Sequence, residues 1–161
     1  MHKGLSSSSA SRSEVGGGLD DQLCFALYAA TNALTRAYRP FLAALGLTYP
    51  QYLVMLTLWE EARTTSGQLA RRLDLAPNAI TPILDRLEGA GLIERRRDEG
   101  DRRRVHVTAT GEGEALQARI AEVQHAVGCR TGLDATEIAS LRERLHALAR
   151  CMSEEGGAPG R

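Results

Sequence analysis

The stretch LCFALYAA, Leu23 to Ala30, sets a thiol inside an apolar run and a phenol four residues after it. Cys24 and Tyr28 stand at i and i+4, so on a helix they share one face. Two chemistries are open to such a thiol. Free cysteine commonly serves as a small buried hydrophobe, whereas a thiolate is a nucleophile and a redox centre. Tyr38 follows fourteen residues after Cys24. A continuous helix returns it close to the same face, yet roughly 21 Å further along the axis at about 1.5 Å per residue. Along such a helix Tyr38 cannot touch Cys24 of its own chain. Tyr49 lies beyond the next break and is free to sit elsewhere. In an antiparallel dimer, Tyr38 and Tyr49 of one subunit could meet Cys24 of the other.

A second concentration of chemistry is RRRDEGDRRR, Arg95 to Arg104, with six arginines and three acids. Standing alone, a charge run of this kind reads as solvated surface. Over the whole chain 20 basic and 20 acidic residues cancel. That balance argues against a protein that coats nucleic acid indiscriminately, but it leaves room for a local basic surface. The four histidines, His2, His106, His125 and His146, are scattered and show no matched carboxylates, so no metal site is expected. There is no Gly-rich phosphate loop, no Ser-His-Asp spacing and no paired-carboxylate constellation, so neither a cofactor nor an enzyme is expected.

Cys24, Cys129 and Cys151 lie far apart with no CxxC spacing. An odd set of free thiols without a secretory signal points to a reducing cytoplasm. Residues 1–18 lack an apolar core and read as a disordered tail rather than a signal peptide. No window approaches the roughly 18 consecutive apolar residues of a membrane span.

The elements that must position these groups follow from periodicity. From about Leu19 to Leu45 apolar residues recur at helical spacing, at Leu23, Leu27, Ala30, Leu34 and Phe41, with Pro40 expected to bend or interrupt the helix and Gly46 to end it. Thr48-x-x-Gln51 is a capping-box pattern that opens an apolar helix to about Ala62, with Trp59 as core packing. Thr65-x-x-Gln68 opens a short helix, and after Asp74 to Pro77 another follows, closed by Gly89 and Gly91. LIERRR, DEGD and RRRVHVTAT then read as two strands joined by a polar turn, Val105 and Val107 alternating with His106 and Thr108. A helix returns over about 113–128, and Asp134-x-x-Glu137 caps a last one carrying Ile138, Leu141, Leu145 and Leu148.

A helix pair followed at once by a two-stranded hairpin is a winged helix, and the fold class is mainly α (α+β). We expect one domain over residues 19–152, with the winged helix at about 48–110 between long helices at about 19–45 and 112–152, and a frayed tail over 153–161. The long end helices carry apolar stripes with no internal partner, which predicts a homodimer. The hairpin run now acquires a second meaning. Arg102, Arg103 and Arg104 sit at the tip of a wing, where arginine is drawn into narrow minor grooves, and Asp98 and Asp101 would hold some of those guanidiniums in place. Asn78, Thr81 and Arg86 stand near the exposed N-terminal half of the preceding helix, where major-groove readers place polar side chains. Whether Ala76 or Asn78 caps that helix is open, and Pro82 breaks a local rule inside it.

LTYPQYLVMLTLWEE, ITPILDRLEGAGLI and RRRDEGDRRRVHVTATGEG together resemble the MarR family of dimeric winged-helix repressors. LDDQLCFALYAA followed by AYRP and LTYPQY is similar to its organic-hydroperoxide-sensing branch, OhrR, of the two-cysteine type. The resemblance covers roughly residues 19–150. The wing pattern Asp101-x-Arg103 marks the family at large and says nothing of the signal. The resemblance implies a homodimer on an inverted-repeat operator in double-stranded DNA. It also implies that Tyr28, Tyr38 and Tyr49 hydrogen-bond a peroxide-reactive Cys24, across the dimer for the last two. Cys129 would be the partner subunit's resolving thiol, with Cys151 incidental. Phenol donors favour a thiolate, which attacks a peroxide O–O bond and becomes a sulfenic acid that a second thiol condenses with. Leu23, Phe25 and Leu27 suit an organic peroxide. Two other readings stand beside this one: a repressor answering a small phenolic or other organic ligand, and a thiol peroxidase whose purpose is turnover.

Overall fold

A computed structural model of the chain describes residues 17–101 and 103–155, with side chains to Ser153. The backbone gathers into two units that divide between Arg36 and Ala37. The division falls inside the first long helix, α1, Leu23–Ala43.

In the first unit a single 3-10 turn, Leu19–Asp21, precedes α1, and Gln22 between them is extended. The helix therefore starts four residues later than the apolar spacing implied. Leu23 and Leu34, two of its apolar stripe, are 61% and 40% exposed. An apolar face left uncovered by its own chain is the pattern of a surface made for something else to pack on.

The second unit opens with the end of α1. Pro40 does not interrupt it; the helix runs on to Ala43. The ring removes only the bond to the Arg36 carbonyl, so close to the helix end that the rest of the last turn holds. Leu47 N–H then donates to Leu42 O at 2.9 Å and Gly46 N–H to Ala43 O at 3.1 Å. This is a Schellman closure, and Gly46 supplies its left-handed residue at φ +71°.

Next come α2 (Tyr49–Glu60), β1 (Thr64–Thr65), α3 (Ser66–Arg72), α4 (Pro77–Gly89), β2 (Ile93–Arg97), β3 (Val105–Ala109), α5 (Gly111–Cys129) and α6 (Ala135–Glu155). The anticipated capping residues act at all three starts. Thr48 N–H donates to Gln51 Oε1 at 2.7 Å. Thr65 and Gln68 exchange bonds at 2.9 and 3.3 Å, as Asp134 and Glu137 do at 2.8 and 2.9 Å. The hairpin expected from sequence is part of a three-stranded antiparallel sheet in the order β1-β3-β2. β1 has two residues, too few to show a period. The expected alternation along β3 is partial: Val107 is fully buried, while Val105, His106 and Thr108 are all half-buried. His106 in this central strand is flanked by Thr65 on one side and Arg96 on the other. The last helix reaches Glu155, so Ser153 to Glu155 are helical, not a loose tail.

The core gathers Leu42 at the end of α1, Leu47 just after it, Tyr52, Val54, Met55 and Leu58 of α2, Leu69 of α3, Ile80, Leu84 and Leu87 of α4, and Ile93, Val107 and Ile120. Trp59 packs against its edge, and its indole N–H donates to Gly113 O at 3.2 Å. Leu141, Leu145 and Met152 on α6 are 47%, 40% and 68% exposed.

The turn between α3 and α4 is closed like the end of α1, but by Asp74 at φ +52°. Leu75 N–H donates to Ala70 O at 2.8 Å and Asp74 N–H to Arg71 O at 3.3 Å. Glycine meets no steric cost in that conformation. Asp74→Gly is expected to stabilise the chain by about 0.5–1 kcal/mol, or roughly 2–3 °C in Tm. A thermal melt checks this, and a lowered Tm would show that the Asp74 carboxylate contributes more than its strained backbone costs.

Candidate nucleic-acid interface and thiol sites

α4 is capped by Ala76 with Pro77 in its first position, which resolves the choice between Ala76 and Asn78. Ile80, Leu84 and Leu87 are its buried stripe. Asn78, Thr81, Pro82 and Asp85 lie on the exposed face, with Arg86 at its margin. Arg86 lines an open groove with Thr48, Pro50, Gln51, Pro82 and Ile83, between the start of α2 and the middle of α4. Pro82 frees the carbonyl of Asn78, four residues before it, and that group stands on the exposed face.

The six arginines do not share a role. In β2 the strand period sends Arg95 towards α4 and leaves Arg96 at 81% side-chain exposure, paired with Glu94 at 3.0 Å. Arg95 Nη2 meets Asp85 Oδ1 at 2.8 Å and Glu88 Oε2 at 2.5 Å. Glu88 Oε1 also accepts the Arg95 backbone N–H at 3.2 Å. The guanidinium holds the Glu88 carboxyl below its ordinary pKa, and Glu88 raises that of Arg95 in return. The clamp fastens the last turns of α4 to the first wing strand. Periodicity alone did not reveal it, because Asp85 and Glu88 read as ordinary surface acids.

At the hairpin tip Asp98 holds the turn and a histidine, and among the described residues no guanidinium pairs with it, where the sequence predicts one. Its Oδ1 accepts the backbone N–H groups of Gly100 and Asp101 at 2.9 and 3.0 Å. Its Oδ2 lies 2.7 Å from His106 Nε2. His106 thus has the matched carboxylate that linear spacing had not shown, because the pair meets only across the hairpin. The His106 bond, followed by those two backbone donors, lowers the Asp98 pKa from 3.8 to about 2. A depressed carboxyl stabilises the fold fully above its unfolded pKa and loses that contribution as pH falls through the folded value. For Asp98 the window runs from about pH 4 down to about pH 2, well below neutrality. Asp101 serves the arginines more directly: Oδ1 accepts the Arg103 backbone N–H at 3.1 Å, and Oδ2 lies 3.6 Å from Arg104 Nε. Arg103 and Arg104 are exposed and precede β3 in the turn; Arg102 lies outside the described residues.

The thiols and phenols divide between the two units. In the first, Cys24 and Tyr28 are both exposed, Tyr28 at 67%. Cys24 is therefore not a hydrophobe of its own chain's core. In the second, Tyr38 and Tyr49 meet edge to face at 5.5 Å between ring centroids, and Tyr38 stacks on Tyr52 at 5.3 Å. Tyr52 is a member that sequence reasoning missed, hidden in an apolar run. It is buried, and its hydroxyl accepts a bond from Gln124 Nε2 at 3.0 Å. Burial, and then the adjoining Tyr52 hydroxyl, raise the Tyr38 pKa; burial and Tyr52 do the same for Tyr49. Both phenols thus stay protonated and able to donate. Cys129 is exposed at the end of α5, its Sγ 3.8 Å from His125 Nε2. Cys151 is exposed on α6. Among the described residues no three His, Cys, Asp or Glu side chains gather to hold a metal, and no helix is long and apolar enough to cross a membrane.

The MarR family pattern matches residues 47–105, from before α2 to the start of β3. The chain is 45% identical to the HTH-type transcriptional regulator TtmR of Methylorubrum extorquens (strain PA1), over 81% of this chain and 71% of that one. It is 34% identical to the organic hydroperoxide resistance transcriptional regulator of Bacillus subtilis (strain 168), over 85% and 93%. Among solved structures it resembles reduced AbfR bound to DNA, a Staphylococcus epidermidis protein, with TM-score 0.70 and 34% identity over 84% of this chain and 96% of that one. The disulfide form of AbfR matches with TM-score 0.61 at 34% identity, over 87% and 93%.

Proposed function

Because the chain belongs to the MarR family of DNA-binding transcriptional regulators, we propose that it is a homodimeric repressor controlled by oxidation of Cys24. Reduced, it holds an inverted-repeat operator; oxidised by an organic hydroperoxide, it lets go. The observation that carries this reading is the exposure of Cys24 in its own chain, on a helix whose apolar residues Leu23 and Leu34 are also uncovered. A second copy covering that face brings its own phenols, Tyr38 and Tyr49, to the thiol, while Tyr28 serves from one turn away. Likeness to a regulator named for organic hydroperoxide resistance supports the same signal.

The Cys24 thiolate attacks the outer peroxide oxygen, the O–O bond breaks, and the alcohol leaves with a proton. The resulting sulfenic acid condenses with the Cys129 thiol of the partner subunit, forming a disulfide and releasing water. The new bond draws α1 away from the tyrosines and tilts the winged helices. Asn78, Thr81 and Arg86 then no longer meet successive major grooves together, nor do Arg102, Arg103 and Arg104 meet the flanking minor grooves. A gel shift on the DNA upstream of the protein's own gene tests the reading. The reduced protein is expected to retard it, cumene hydroperoxide to release it and dithiothreitol to restore it. Retardation that is indifferent to peroxide would overturn the proposal.

A further inference from the structure

We propose that His106 is a positioning residue of the wing, fixing through Asp98 the turn that presents Arg103 and Arg104. The inference rests on the wing meeting DNA and is independent of the thiol chemistry.

His106 belongs to the central strand of the sheet, in register with Thr65 of β1 and Arg96 of β2. Its side chain is only 18% exposed, and its Nδ1 is buried without a partner. Among the described residues, the one bond its side chain makes is the 2.7 Å contact to Asp98 Oδ2. An ionised carboxylate only accepts, so Nε2 carries the proton and donates. With Oδ2 anchored to the sheet, Oδ1 is aimed at Gly100 N and Asp101 N. Asp101 in turn receives the Arg103 backbone N–H on its side chain and, at 2.8 Å, the Arg104 N–H on its carbonyl. Asp98 N–H closes the turn on Arg104 O at 3.0 Å. An unbroken series of hydrogen bonds thus runs from the middle strand to the backbone of both arginines. The turn contains Gly100 and has no apolar anchor of its own, so this series is what selects its conformation.

The test compares His106→Val, which suits a strand but cannot donate, with His106→Gln, whose amide N–H reaches where Nε2 does. Each is made alone and in an Arg103→Ala/Arg104→Ala background, and titrated onto the same upstream DNA. His106→Val is expected to weaken binding about tenfold and His106→Gln less than threefold, with Gly100 and Asp101 amides exchanging faster in the valine protein only. Without the two arginines the valine substitution should change affinity less than twofold, since residues that act through one another are not additive. Equal effects in both backgrounds, or no effect with the arginines present, would overturn the role given to His106. If the Arg103→Ala/Arg104→Ala protein binds as tightly as the native chain, the wing reading itself fails instead. Where valine impairs folding, the glutamine protein with unchanged exchange and a tenfold loss of affinity would equally overturn the inference.

Discussion

Cys24→Ser protein is expected to bind operator as tightly as the native chain and to keep it through treatment with organic hydroperoxide. Serine preserves the size of the side chain and its ability to accept from a phenol, but it is no nucleophile towards an O–O bond. The loss is complete and not graded, because in this reading Cys24 alone meets the peroxide and Cys129, at the end of α5, takes only the second, resolving step. Turning a regulator from about 99% binding-competent to about 1% requires roughly a 10⁴-fold bias, near 5.5 kcal/mol, which a covalent bond between subunits can impose. Removing the sulfur removes all of that bias. If the serine protein still dissociates on peroxide treatment, the switch lies elsewhere, and a repressor answering a small organic ligand becomes the better reading. Consumption of many peroxide equivalents per Cys24, with no specific retention of DNA, would favour a thiol peroxidase.

Gly113→Ala is expected to destabilise the chain by about 3 kcal/mol or more, lowering Tm by roughly 10 °C. A Cβ there would stand 2.1 Å from Leu92 O and 3.1 Å from Met55 Cε. The first neighbour is backbone and cannot turn aside. Thr110 fixes the approach from three directions: its N–H donates to Leu92 O at 3.1 Å, and its hydroxyl donates to Gly91 O at 2.6 Å and accepts Gly113 N–H at 3.1 Å. Relief would have to come from shifting Leu92, next to Ile93 at the start of β2, and so would disturb the Arg95 clamp two residues later. Gly128→Ala is the control, since nothing lies within 4 Å of a Cβ there. That variant should melt as the native chain does or slightly higher. Equal losses at both positions in a denaturation series would contradict the packing argument.

What could be read in the sequence was local. The three capping-box patterns need only a threonine or aspartate and a partner three residues on, and each of those pairs is hydrogen-bonded. The winged-helix order follows from periodicity and from turn residues such as Gly46 and Gly91, both at positive φ. What depended on contacts across the fold was not visible. Arg95 and Arg96 are adjacent identical residues, yet one clamps α4 and the other stands in water, because a strand sends neighbours to opposite faces. His106 and Asp98 are eight residues apart and meet only when the hairpin closes. Tyr52 lies inside the apolar helix expected from sequence and is buried, but it also completes the aromatic cluster of Tyr38 and Tyr49. Pro40 is expected to bend or interrupt α1, yet the helix runs on to Ala43, because the ring falls in the last turn where only one backbone bond is lost.

The most direct measurement follows operator release and the state of Cys24 in one sample of purified native protein during peroxide addition, with alkylation, non-reducing electrophoresis and peptide mass mapping. The account predicts that the fraction of DNA released equals the fraction of Cys24 protected from alkylation, with a Cys24–Cys129 link between subunits accumulating in step. Full release of DNA while Cys24 remains alkylatable would contradict it.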